Sequence, residues 1–198
     1  MKTRFHLLFL VACGQPLLSG SGASVRDVDF RNFQYPFIVK ELASVPDKIS
    51  WIIPTSRAQV IQMRDGRFTV PCDAGDSCPL LTLDGIDFGH LDGLPDTSAL
   101  VMLTYHSGGT ATWQYVYVIA QRAEKPEVVA YLRTGSRGSA GLRKLQAEHG
   151  ELVLVVNDPG KRFGDCCSRG TITYRYKWMH GSFRQASEPV YMDDENTP

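Results

Sequence analysis

The segment TITYRYKW (171–178) alternates strictly: Ile172, Tyr174, Tyr176 and Trp178 fall on one side of an extended chain, Thr171, Thr173, Arg175 and Lys177 on the other. Side chains point alternately to opposite faces in a strand, so this run predicts a strand with one packed and one solvated face. The same period of two, carried by β-branched and aromatic residues, dominates the chain after residue 25. Further strands are expected at 99–105, 113–121 and 127–133, the last two joined by a turn at Glu124-Lys125-Pro126. Hairpins are expected at Asp65-Gly66, His149-Gly150 and His180-Gly181, where glycine accepts the positive φ of a tight turn. About ten strands result, and no segment reads as a long amphipathic helix. The expected fold is all-β, a compact antiparallel β-domain; pattern alone leaves a sandwich, a barrel and a propeller-like arrangement open.

A chain of 198 residues suits one domain, or one domain with an appendage. The formal net charge is zero, acidic and basic residues are intermixed, and no basic run exceeds two residues. Phosphate neutralisation needs clustered cations, so nucleic acid is not an expected partner. The N-terminus MKTRFHLLFLVACGQPLLSGSGAS pairs a basic start with a short apolar stretch and reads as an export signal. Two processing routes compete. Leu10-Val11-Ala12-Cys13 reads as a lipobox that would lipidate Cys13, followed by flexible Gly/Ser composition; cleavage after Ala23 is the alternative. The favoured division is 1–12 signal peptide, 13–24 lipid-anchored tether, 25–190 single β-domain and 191–198 acidic tail. Gly14 after Cys13 favours the outer membrane, with the domain facing the periplasm.

If Cys13 is lipidated, Cys72, Cys78, Cys166 and Cys167 remain as an even set in an oxidising compartment. Three pairings are possible, and sequence does not choose between them. Neither pair has the two-residue spacing of a zinc ligand set.

Catalytic signals are sparse. No G-x-S-x-G, H-E-x-x-H or phosphate-cradling glycine loop occurs, and most aspartates sit at turns, where they bond their own backbone. An enzyme is therefore not expected. Two loops stand out instead. YHSGGTATWQY (105–115) is a Ser-Gly-Gly tip between aromatic strands, with His106, Ser107, Gly108, Gly109, Trp113 and Tyr115 as candidates. LRTGSRGSAGLRK (132–144) mixes small and basic residues, with Arg137 and Ser139 as candidates. Exposed amides, hydroxyls and a guanidinium make good partners for carboxylates.

VDFRNFQYP, GHLDGLPDTSALV, HSGGTATWQYVYV, TGSRGSAGLRKL, EHGELVLVV and GDCCSRGTITYRYKW together resemble the periplasmic inhibitors of invertebrate-type lysozyme, a group that includes immunity lipoproteins against secreted lysozyme-like effectors. The resemblance implies a propeller-like antiparallel β-domain and inhibition by inserting a loop into a muramidase cleft. It places Ser107-Gly108, with a following tyrosine at Tyr115, at the inhibitory tip, although the spacing to tyrosine is longer than in the family. It also implies a calcium loop at 89–101, for which Asp87, Asp92 and Asp96 are the available ligands. His90, Leu94 and Pro95 stand where relatives carry Asp, Asp and Gly. The expected partner is a lysozyme-like cell-wall hydrolase, with no required cofactor and calcium as an option. An outer-membrane scaffold lipoprotein that binds another envelope protein is the alternative, and a hydrolase the third reading.

Overall fold

A computed structural model describes residues 24–37, 51–55, 59–73, 78–109, 112–164 and 166–194. The expected signal segment, Cys13 and the end of the expected acidic tail lie outside the described residues. The chain is all-β and antiparallel, as its alternation requires.

A short ladder pairs β1 (Gln34–Pro36) with β2 (Val60–Gln62). The first large sheet follows in the order β3 (Arg67–Thr69), β4 (Leu80–His90), β5 (Thr97–His106), β6 (Thr112–Arg122), β7 (Lys125–Arg133). The second contains β8 (Leu142–Glu148) and β9 (Glu151–Asn157), then, after the small ladder of β10 (Arg162–Phe163) with β11 (Cys167–Ser168), β12 (Gly170–Met179), β13 (Ser182–Gln185) and β14 (Val190–Asp193). β12 is its hub: β9 pairs with one edge, β13 and β14 with successive stretches of the other.

Two hydrophobic clusters flank the first sheet. Leu100, Val116, Val118, Ala130 and Leu132 meet Leu152, Leu154, Val156, Ile172 and Trp178 of the second sheet. On the opposite face Val101, Leu103, Tyr115, Tyr117 and Tyr131 meet Val25, Phe30, Tyr35 and Phe37 of the N-terminal segment and Ile61 and Met63 beside them. β5 and β6 are therefore covered on both faces, which is why they read as nearly unbroken apolar runs, whereas β12 alternates. Burying a side chain of this size contributes about 1.5–3 kcal/mol. On the outer face of β12, Arg175 bonds Glu148 at 2.7 Å and Lys177 reaches Glu151 at 3.4 Å, so the solvated half of the alternation is also present.

Of the four expected turns, two form as read and two differ. The hairpins at His149-Gly150 and His180-Gly181 form as read. Asp65-Gly66 turns as expected, but its flanks do not pair beyond Arg64 and Arg67: β2 goes to β1, and β3 to β4. The β6–β7 turn falls at Ala123-Glu124, both with positive φ, and not at Glu124-Lys125-Pro126. Proline cannot adopt positive φ; Pro126 instead sits in edge strand β7, where its missing N–H costs no ladder bond.

Ser24 caps a 3-10 turn over Val25–Asp27 by accepting from the Arg26 N–H, and Val25, the first residue of the expected β-domain, is buried. At the other end Val190–Asp193 is a strand rather than part of a tail. Lys161 pairs with Asp193, and Arg143 with Asp194 at 2.9 Å.

Candidate functional site

Antiparallel register sends three connections out of the same end of the first sheet. They are the β3–β4 connection with its cysteine loop, the β5–β6 tip, and the β7–β8 loop; Leu80 pairs with His106, His106 with Thr112, and Tyr115 with Arg133. Both loops singled out by sequence are thus neighbours. Thr112 donates its backbone N–H to Ser136 Oγ at 3.3 Å. One step inward, Thr134 N–H donates to the Gln114 carbonyl at 2.9 Å, and the Gln114 side-chain oxygen accepts from Leu142 N–H at 3.1 Å. A polar Gln at the end of β6 therefore holds the root of the second loop.

The second loop is internally bonded. Ser139 N–H donates to Ser136 O at 2.9 Å, Gly135 N–H to Ala140 O at 2.9 Å, and Gly141 N–H to Arg137 O at 3.0 Å. Asn157 Nδ2 donates to the Arg137 carbonyl at 2.6 Å, which fixes a backbone with φ 45° and leaves the guanidinium end of an exposed side chain to solvent. Gly138 lies against Cys167 so closely that a Cβ would overlap the Cys167 carbonyl oxygen. Arg143 bonds Asn157 Oδ1 and the Ser168 carbonyl, completing this wall.

In the first loop, Ser107 is half-buried, Gly108 and Gly109 are exposed, and Gly108 has φ 87°. His106 Nε2 lies 3.4 Å from Thr82 Oγ1; that hydroxyl donates to Asp84 at 3.0 Å, and Thr104 donates to the other Asp84 oxygen. The imidazole is thus anchored to a carboxylate through a threonine. Trp113 packs on Tyr105, centroids 5.8 Å apart, and burial pushes the Tyr105 phenol up.

Tyr115 is not part of this edge. It is 3% exposed and packs on Phe37 at 5.1 Å in the core under the N-terminal segment, so it cannot enter a partner's cleft. Odd positions of β6 face that core. Sequence reasoning also passed over Thr112, Gln114, Ser136, Asn157 and Ser168, whose roles depend on tertiary neighbours. The polar Gln114 interrupting an apolar strand was the one available signal.

The cysteines pair locally, Cys72 with Cys78 and Cys166 with Cys167. The three aspartates considered for calcium do not converge. Asp87 lies on β4 and accepts its neighbour Phe88's N–H; Asp92 contacts His90 at 3.3 Å in the β4–β5 turn; Asp96 has φ 49° at the end of that turn. Asp92 donates its N–H to Gly150 O at 2.8 Å, so this turn joins the two sheets at the end opposite the Ser/Gly tips. Among the described residues no group of three His, Cys, Asp or Glu side chains is placed to hold a metal ion.

Two cavities accompany these features. One of about 860 Å³ lies by β1, β2 and β7; its lining carries one carboxylate, Glu127, and one guanidinium, Arg122. The other, about 250 Å³, opens between the sheets beside the edge, over Leu100, Met102, Gln114 and Leu142. The second is smaller than the usual ligand pocket of roughly 300 Å³ or more and suits a single side chain. No helix among the described residues is long and apolar enough to cross a membrane. No protein-family model matches the chain, and no curated protein or solved structure matches it.

Proposed function

We propose that the protein is a periplasmic inhibitor or immunity protein that blocks the cleft of a lysozyme-like peptidoglycan glycosidase, with Ser107–Gly109 and the Arg137/Ser139 loop as one inhibitory edge. The observation that carries this reading is the Thr112 N–H to Ser136 Oγ contact, which joins two small-residue loops chosen independently on sequence. Glycoside hydrolases present two carboxyl groups in a cleft. A narrow tip offering glycine amides, serine hydroxyls and an exposed guanidinium matches that chemistry without catalysis of its own. The loop is pre-organised by its own hydrogen bonds, which lowers the entropy lost on binding. Export through the signal segment and anchoring of Cys13 to the outer membrane belong to the same reading.

The test is a titration of the protein into a peptidoglycan lysis assay over a panel of lysozyme-like muramidases, including any encoded beside its gene. Lysis should slow toward a stoichiometric end point for at least one of them. Unchanged lysis at molar excess across the panel would remove the proposal.

One observation favours a second reading, an envelope scaffold that pairs through a sheet edge. Val190, Tyr191 and Met192 on β14 are all more than half exposed on a strand whose outer edge is open among the described residues. Recovery of envelope assembly components, with no hydrolase, on the immobilised protein would support it.

A further inference from the structure

We propose that the adjacent pair Cys166–Cys167 is a redox-sensitive latch that positions the 136–140 tip and so regulates the inhibitory edge; its functional consequence, though not the latch itself, rests on the inhibitory reading above. Both cysteines are exposed, so a small dithiol reaches the bond. The bridge spans neighbouring residues and closes a ring containing only their shared peptide unit. Chain-entropy stabilisation grows with loop length, so this bond does little for global stability. What it restricts is the backbone at one place.

That place is the wall against Gly138, where the Cys167 carbonyl oxygen occupies the space a Cβ would need. Downstream the chain is clamped. The Ser168 hydroxyl sits between the carbonyls of Asp158 at 2.7 Å and Gly170 at 2.9 Å, and the Ser168 carbonyl accepts from Arg143 at 3.1 Å. Upstream, Gly164 lies in the turn of the β10–β11 ladder, where Phe163 pairs with Cys167; it has φ 65°, its carbonyl accepts from Arg162 Nε at 2.8 Å, and a Cβ there would meet none of the described residues. Rotation of the Cys166–Cys167 peptide is therefore taken up within the β10–β11 turn and reaches Gly138 through the Cys167 carbonyl. The tip moves as a unit because Ser136 and Ser139 are bonded, and Ser136 Oγ carries the displacement to Thr112 and the Ser107–Gly109 loop.

The switching reaction is thiol–disulfide exchange. One thiolate of a dithiol attacks a cysteine sulfur and forms a mixed disulfide; its second thiolate displaces the protein sulfur and closes the reductant's own disulfide. Two electrons and two protons are left on Cys166 and Cys167 as two thiols.

The experiment uses the full chain with C13S, C72S and C78S, which leaves Cys166 and Cys167 as the only cysteines of the five. Amide hydrogen exchange is measured in the oxidised form, after dithiothreitol, and after reoxidation, with alkylation and mass measurement confirming each state. The Ser139 and Gly141 amides should exchange at least about tenfold faster on reduction and recover on reoxidation, while β9 and β12 stay protected. Inhibition of a muramidase should fall in step. Identical exchange in both redox states overturns the latch. Exchange that responds in a protein that never inhibits leaves the latch standing and removes the inhibitory reading instead. If the triple variant does not fold, C166S/C167S is compared with wild type: the same acceleration supports the latch, and unchanged exchange overturns it.

Discussion

Thr112 donates its backbone N–H to the Ser136 hydroxyl oxygen, 3.3 Å away, and this one contact turns two separate loops into a common edge. Ser136→Ala removes the acceptor and leaves the rest of the loop's bonds in place. The expected stability loss is about 1 kcal/mol in urea unfolding, the net worth of an ordinary hydrogen bond. Inhibition should weaken several-fold, because the two tips then order independently.

Gly89 of β4 faces Ala147 of β8 across the space between the two sheets, and a Cβ at position 89 would overlap the Ala147 methyl. Backbone on both sides resists the shift. Gly89→Ala should therefore destabilise the domain by about 1–3 kcal/mol, the usual range for overpacking. Thermal unfolding of that variant checks it, with Gly109→Ala as the control, since among the described residues a Cβ at 109 meets only Ser107 Oγ, at 3.8 Å.

The C-terminal strand predicts that truncation after Pro189 is not silent. It removes the β12–β14 ladder and the ion-pair partners of Lys161 and Arg143, Asp193 and Asp194, leaving part of β12's edge unpaired. Exposed ion pairs contribute little each. The expected loss is about 1–2 kcal/mol from the ladder bonds, read as a lower denaturant midpoint.

Alkaline pH should unfold the protein cooperatively. Burial raises the phenol pKa values of Tyr35, Tyr117 and Tyr176 in the folded state. Above the unfolded value of about 10, the unfolded chain has released protons that the folded chain keeps, so stability falls as pH rises. The stabilisation is complete below about pH 10 and is lost as pH climbs toward the folded values. Tyr117→Phe loses the bond to Pro36 O at 2.9 Å but should flatten the alkaline limb, which denaturant midpoints across pH would show.

The alternation in 171–178 and the glycine turns at 149–150 and 180–181 were legible because one-sided burial and φ > 0 leave local marks. The Ala123-Glu124 turn left none, since neither residue advertises positive φ; the Pro126 beside it drew attention to the wrong residues. Val190–Asp193 was hidden in acidic composition, and it is held by cations from Lys161 and Arg143, distant in sequence. In the site, the Ser/Gly tips were visible as loops, and their adjacency follows from antiparallel register once β5, β6 and β7 are paired in order. The orientation of Tyr115 was readable and missed: it shares parity with Tyr117, and odd positions of β6 face the core under the N-terminal segment. The Ser136 contact could not be read, because nothing local marks which serine meets Thr112.

Entry of the Ser107–Gly109 tip into a muramidase cleft is tested by measuring inhibition with a tip variant whose fold is intact. Ser107→Trp with Gly109→Trp places bulk at half-buried Ser107 and at exposed Gly109, which has room among the described residues. Stoichiometric inhibition of the responsive muramidase should be lost, with a denaturant midpoint close to wild type. Inhibition undiminished in a variant of unchanged stability would contradict it.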